Sequence, residues 1–525
     1  MTRTTDVPAE GPRATRREWI GLAVIALPCL LYSMDLTVLN LAVPHISADL
    51  KPTSSQLLWI VDIYGFLIAG SLITMGTLGD RIGRRRLLLI GAAAFGVASV
   101  IAAFSASART LIATRALLGI AGATLAPSTL SLIRSMFLDP EQRRVAISVW
   151  VTSFSVGAAI GPLLGGILLQ YFWWGSVFLL GVPVMVLLLV LGPLLLPEFR
   201  DPRAGRLDLF SAGLSLVAVL AVIYGLKQFA ENGLAWPPAL SILAGLALGV
   251  AFVRRQRRLA DPLIDLRLFR SPAFSASLAV YMLGTLVGFG IYVFIAQYLQ
   301  LVLGLSPLRA GLAMVPSMLA FVVCSLVVPV IARRVRPAYF MGVGLVVAAI
   351  GFALLTQVGG ASGLAAIVIG SVVYSLGLSP GTILATDLIV GSAPVERAGA
   401  ASAISETSSE LGGALGIAIL GSIGTAVYRA AMAQAAPGGV PPEALDVARS
   451  TLGGAVAVAE QLPREVGAEL LRSARDAFAQ SFRLAAAVSA AVTLATALGA
   501  LALLRKVGST SREEPHPEPR AARAG

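Results

Sequence analysis

Residues 57–89 read LLWIVDIYGFLIAGSLITMGTLGDRIGRRRLLL. The stretch opens as an apolar run long enough to cross a bilayer, for which a helix needs about 20 residues. An acid, Asp62, lies inside that run. The run ends in Gly76-x-x-x-Asp80-Arg81-x-Gly83-Arg84-Arg85-Arg86, and a second apolar run starts at once. A tight, glycine-punctuated basic turn between two spans is a topological anchor, because Lys and Arg stay on the cytoplasmic side. This stretch therefore predicts a multispanning membrane protein.

The composition agrees. The 525 residues are 57% hydrophobic and 13% charged, whereas a soluble domain carries about a quarter charged residues. The net charge of +12 does not point to nucleic acid, since nearly all Arg falls in short tracts between apolar runs, as membrane topology requires. Cys29 and Cys324 both fall in apolar runs, and His45 and His516 stand alone. No disulfide framework, metal site or catalytic cluster is expected, so the reading is not an enzyme and needs no cofactor. Trp19 to Pro44 is too long for a signal-peptide core and reads as a retained first span.

Apolar runs fall at about 20–44, 56–78, 87–105, 110–133, 145–169 and 174–196, then 209–229, 237–253, 273–301, 310–331, 338–356, 362–390, 399–428 and 481–504. The chain is thus expected to be an all-α integral membrane protein with 14 transmembrane helices. With the N-terminus inside, the inner segments hold Arg81, Arg84 to Arg86, Arg134, Arg143, Arg144, Arg200, Arg203, Arg206, the cluster between Arg254 and Arg270, Arg333, Arg334, Arg336, Arg397 and Arg505-Lys506. The outer flanks hold only Lys51, Arg109, Lys227 and Arg309, which predicts both termini in the cytoplasm. The region 430–480 does not span, and its Pro441-Pro442-Glu443 and Pro463-Arg464-Glu465 starts predict two amphipathic surface helices on the outer side.

Acids inside spans carry the chemistry, since a charge at the bilayer centre is costly unless it faces a polar cavity. The chain offers Asp35, Asp62, Asp387, Glu406 and Glu410 against one evident intramembrane base, Arg115. Glu406 and Glu410 are one helical turn apart on one face. One base cannot neutralise five acids, so an acidic cavity is expected. A carboxylate that holds either a proton or a cation gives exchange by competition. One pH unit is worth about 1.4 kcal/mol per proton and 100 mV about 2.3 kcal/mol per charge moved. A second titrating acid therefore lets the membrane potential add to the drive. Tyr292 and Tyr298, on the aromatic run from Tyr281, offer faces that suit lipophilic cations.

Several motifs resemble those of one family. Gly76 to Arg86 resembles the loop between spans two and three of the major facilitator superfamily. Met34-Asp35-Leu36-Thr37-Val38-Leu39-Asn40-Leu41-Ala42-Val43-Pro44 is similar to the first-span motif of its fourteen-span drug:proton antiporters, the QacA/SmvA type. Leu111 to Gly122 resembles the fourth-span motif, whose arginine falls on Arg115. Gly157-Ala-Ala-Ile-Gly161-Pro162-Leu-Leu-Gly165-Gly166 resembles the fifth-span motif that marks antiporters. Ser405-Glu406-x-x-x-Glu410 stands in a comparable thirteenth-span setting, while Pro329 to Arg336 lacks the Asp and Gly of a second basic loop.

The resemblance implies two six-helix bundles of inverted repeats, at 19–196 and 273–504, joined by a linker at 197–272 with two extra spans and flanked by cytoplasmic tails at 1–18 and 505–525. It implies a monomeric, proton-driven exporter of lipophilic cations in a bacterial cytoplasmic membrane. Asp35 and Arg115 would serve coupling, and Asp62, Glu406, Glu410 and Asp387 recognition. The glycines and Pro162 would govern helix contact and bending, and Asp80 would face a second-half helix N-terminus. Export of one endogenous metabolite or antibiotic, and a membrane sensor on a transporter scaffold, remain as alternatives.

Overall fold

The computed structural model describes residues 13–200, 208–232, 236–259, 262–332, 334–359, 363–392, 398–435 and 440–504. Arg203, Arg206, Arg333, Arg397, Arg505 and Lys506, and the tails up to 12 and from 505, lie outside them. The described residues form helices only. The first bundle comprises α1 (Arg16–Leu50), α2 (Ser54–Ile82), α3 (Arg84–Ala103), α4 (Ala108–Gly122), α5 (Leu125–Met136), α6 (Pro140–Tyr171), α7 (Ser176–Leu179) and α8 (Gly181–Leu195). Then come α9 (Leu209–Asn232) and α10 (Trp236–Gln256). The second bundle holds α11 (Pro272–Gln297), α12 (Pro307–Ala332), α13 (Pro337–Leu355), α14 (Gly363–Gly391), α15 (Ala398–Ala435), α16 (Pro442–Ser450), α17 (Leu452–Ala459) and α18 (Arg464–Leu504).

Among the described residues, thirteen helical stretches are long and apolar enough to cross a membrane. A fourteenth is α6, bent by 41° between Glu141–Ala158 and Ile160–Tyr171. The bend falls beside Pro162, which removes an amide donor from the helix ladder. Turn chemistry sets the breaks elsewhere. Lys51, at φ 44°, ends α1 in the left-handed region, and Thr53 with Gln56 forms a capping box on α2. Gly83, at φ 112°, separates α2 from α3, where a side chain would be strained and would also strike Glu198.

The basic turn is tied to its own bundle. Asp80 pairs with Arg84 at 2.5 Å. The Arg85 guanidinium donates to Leu196 O at 2.9 Å, and its backbone amide donates to Glu198 at 3.2 Å. Asp80 was expected to face the second half; in this conformation its ion partner is one turn away within its own loop. The small-residue ridge of α6 lies on α1: a Cβ added at Gly157 would sit 2.1 Å from Leu30 O, and one at Gly161 2.1 Å from Thr37 Oγ1.

The two bundles meet along α2 with α15 and α6 with α12. Their closest approaches lie at the end away from the arginine-rich loops. A Cβ at Gly311 would be 2.4 Å from Pro162 O, and one at Gly166 2.8 Å from Pro307 O. Gln300 Nε2 donates across the seam to Leu41 O at 3.0 Å. Val43, Leu57, Val61, Val293 and Ile417 form an apolar cluster drawn from both bundles. At the arginine-rich end, by contrast, Val145, Val149, Asp387 and Glu406 are exposed.

Two expectations change. The second amphipathic helix of the 430–480 region is not separate: from Arg464 the chain runs as one 41-residue helix into the last span, because no proline interrupts it. The first is the pair α16 and α17, which rests on the closed end. Tyr428 Oη donates to Ala448 O at 2.9 Å, Gly453 packs on Ser47, and Ser54 Oγ of the first bundle donates to Ser450 O. The extra helix α9 is also more than a linker. Its Leu216, Val219, Leu220 and Ile223 pack against Ile63, Phe66 and Leu67 of α2 and against Ala414 and Ala418 of α15, so it covers the seam between bundles.

Candidate functional site

Three helices carry Asp35, Asp62, Glu406 and Glu410. On α1, Asp35 sits one turn beyond Tyr32; on α2, Asp62 sits one turn beyond Trp59; on α15, Glu410 lies one turn beyond Glu406. Helix α4 packs closely on α2, since a Cβ at Gly119 would lie 2.6 Å from Tyr64 O. That approach seats Arg115, whose side chain is 1% exposed.

Three close contacts hold Arg115, and the Phe178 ring centre lies farther off at 5.9 Å. Nη1 pairs with Asp35 Oδ2 at 2.5 Å, Nε donates to Ile60 O at 3.2 Å, and the guanidinium stacks 4.5 Å from the Tyr64 ring centre. Planar geometry lets one guanidinium satisfy all three, which an ammonium could not. The pair Asp35–Arg115 is thus preorganised and neutral in sum.

Asp62 has a partner that the charge pattern did not reveal. Lys227 of α9, counted above with the outer flanks, points inward, and its Nζ lies 2.8 Å from Asp62 Oδ1 and 2.7 Å from Oδ2. Both side chains are fully buried. The ammonium also rests 3.6 Å from the centre of the Trp59 ring. Arg115 is therefore not the only buried base. The reason is geometric: five residues before the end of α9, a four-carbon stem reaches an acid a turn or two deeper.

Among the described residues, Glu410 has no such base. Tyr32 Oη donates to its Oε1 at 2.7 Å, a hydrogen bond that joins the two bundles. Tyr32 and Tyr64 rings lie 6.4 Å apart, so aromatic contact runs from the Arg115 pair to the Glu410 bond. Asp62, Arg115, Ser409, Glu410 and Phe289 line one enclosed cavity of about 60 Å³. This holds a few waters, against roughly 300–1,000 Å³ for a drug-sized pocket. On the arginine-rich side, α6 and Leu30 border a second, open hollow of about 470 Å³, lined by Val145, Val149, Thr152, Ser153 and Val156.

The other candidates stand apart. Glu406 and Asp387 are exposed toward the open end and do not line the enclosed cavity. Tyr292 is buried with its hydroxyl unpartnered, and Tyr298 packs 5.4 Å from Phe482 in a π-helical turn. Tyr32 and Lys227 were missed by the sequence reading. Tyr32 could have been found by its i, i+3 spacing from Asp35; Lys227 had no local signal.

Bundles of membrane-spanning helices, a seam closed at one end, and buried charge pairs beside a polar cavity at the seam define a transporter. Residues 25–417 match the Major Facilitator Superfamily model, and the chain belongs to that family. It is 45% identical to the multidrug efflux pump LfrA of Mycolicibacterium smegmatis over 92% of this chain and 96% of that one. It is 37% identical to the methyl viologen resistance protein SmvA of Salmonella typhimurium over 92% and 97%. Among solved structures, a bacterial homologue of the human lysosomal transporter Spinster, inward-facing and unoccupied, superposes with a TM-score of 0.61 at 18% identity, covering 94% of this chain and 99% of that one. The protein is a multi-pass membrane transporter and not an enzyme.

Proposed function

We propose that this transporter is a proton-coupled multidrug exporter of lipophilic cations, working by alternating access in a bacterial cytoplasmic membrane. The observation that carries the reading is Glu410: an acid without a basic partner among the described residues, lining a cavity between bundles and held by Tyr32. Such a carboxylate takes either a proton or a cation, and the cation repays its desolvation only when the proton has left. The positive-inside rule orients the arginine-rich end toward the cytoplasm, so the open end faces the side from which cargo would be taken. Glu406 and Asp387 then gather cations at the mouth, and the hollow along α6 gives them room to enter.

Asp35 and Arg115 serve the proton step. When Asp35 takes a proton, it loses its charge-assisted bond, and Arg115 keeps Ile60 O and the Tyr64 and Phe178 rings. That change loosens α1 from α4 and reaches Tyr32, one turn from Asp35 on α1. The names of the relatives, a multidrug efflux pump and a methyl viologen resistance protein, support export of organic cations.

The experiment is ethidium uptake into energised inverted vesicles, with and without a protonophore, for the parent, Asp35→Asn and Glu410→Gln. Protonophore-sensitive transport by the parent, lost in both variants, is the expected result. A parent that moves no ethidium overturns the broad-cation reading and favours a dedicated exporter of one metabolite.

A further inference from the structure

The Asp62 site is built like a cation site and is already filled. Trp59 and Asp62 share one face of α2 and supply an aromatic face and a carboxylate. Lys227, on a helix outside both six-helix bundles, supplies the ammonium: 2.7 Å from the carboxylate, 3.6 Å from the ring centre and fully buried. Asp62 at the same time lines the enclosed cavity with Glu410. The acids of that cavity are thus unequal. Asp62 meets Lys227, Asp35 meets Arg115, and Glu410 meets only a hydroxyl.

We propose that Lys227 is a specificity-determining residue: its tethered ammonium masks Asp62, leaving Glu410 as the one acid in the enclosed cavity open to a cation. The inference rests on the cation-export reading above and adds to it a charge selectivity. A cargo with one positive charge finds one free carboxylate. A second positive charge on the cargo must compete with an ammonium that is held in place by α9 and therefore has a high local concentration. Removing the Lys227 charge frees the Asp62 carboxylate, which lines the cavity, with Trp59 one turn away on α2, and dications gain. Removing the Asp62 charge alone leaves a buried ammonium unpaired, and all cations lose.

The test measures uptake of ethidium, a monocation, and methyl viologen, a dication, into energised inverted vesicles. It compares the parent, Asp62→Asn, Lys227→Met and the neutral pair Asp62→Asn/Lys227→Met. Masking predicts that Asp62→Asn alone loses about tenfold or more of ethidium transport, and that the neutral pair, with no unpaired ammonium left, recovers most of that loss. Lys227→Met raises the methyl viologen to ethidium ratio by about tenfold. Should Lys227→Met fail to insert, Lys227→Gln, which retains a donor to Asp62, is read by the same criterion. Loss of ethidium transport in the inserted neutral pair overturns the proposal, because Asp62 would then bind cargo directly. An unchanged ratio in the lysine variant overturns it too. Failure of the underlying export reading is separate, since it appears in the parent as absence of ethidium transport.

Discussion

Adding one methyl group at Gly311 should shift the conformational balance and spare the fold. The new Cβ would lie 3.1 Å from the Pro162 carbonyl carbon and 2.4 Å from its oxygen, the latter about 1 Å inside the roughly 3.5 Å at which heavy atoms attract. Both contacts are backbone, so no rotamer change relieves them. What can yield is the seam, because α12 and α6 belong to different bundles. Overpacking costs about 1–3 kcal/mol, and since about 1.4 kcal/mol is tenfold, the closed-end contact should weaken between about fivefold and 150-fold. Val293→Cys, in the apolar cluster shared by the bundles at that end, reports the change when Cys29 and Cys324 are replaced by Ala. The reporter should react with an impermeant maleimide faster in Gly311→Ala by that factor. Gly213→Ala, where the added Cβ meets nothing within 4 Å, is the control. An unchanged labelling rate in a folded Gly311→Ala protein would refute the seam argument.

Other outcomes follow from single contacts. Arg115→Lys should insert normally yet lose about tenfold or more in proton-driven ethidium efflux, because an ammonium cannot serve Asp35, Ile60 O and the Tyr64 face together; wild-type efflux would count against the coupling role. Gly83→Ala should lower the melting temperature, since φ 112° with a Cβ 2.4 Å from Glu198 costs about 1–3 kcal/mol of strain. Outside the spans, partial burial pushes the Asp208 carboxyl up, but hydrogen bonds from Ser211 and the Arg255 guanidinium outweigh it and hold it below the usual range. A depressed folded value means this stabilisation is full above the ordinary 3.8 and is lost as pH falls through the lowered value. Melting of the parent and Arg255→Ala should therefore converge in strong acid, and a gap that persists there would show that the carboxylate is not responsible.

The sequence speaks most clearly where one residue type has one use. Apolar runs of about 20 residues separated by arginine tracts dictate spans, and the helices fall where the runs do. Pro162 is legible as a bend because proline removes a ladder donor wherever it sits. The site is less legible because burial of a charge depends on which neighbour it meets. Lys227 lies five residues from its helix end, where pointing outward and pointing inward look alike in one dimension. Glu406 and Glu410 share a face, yet a helical turn is about 5.4 Å of depth, and only the deeper acid reaches the enclosed cavity. Tyr298 carries the right chemistry for a cation but is spent on packing against Phe482. The unbroken α18 was obscured because its amphipathic first half resembles a surface helix and its second half a span.

The pair α16 and α17 belongs by chain to the second bundle while Ser54 of the first holds it by a hydrogen bond. Any cycle that parts the bundles at this end has to slide or release that strap. A nanobody spanning the strap and the α1–α2 corner would stall the machine by mechanical restraint. It would leave the cavity beside Glu410 untouched and, being far too large to pass between the bundles, could not be carried by the transporter it blocks.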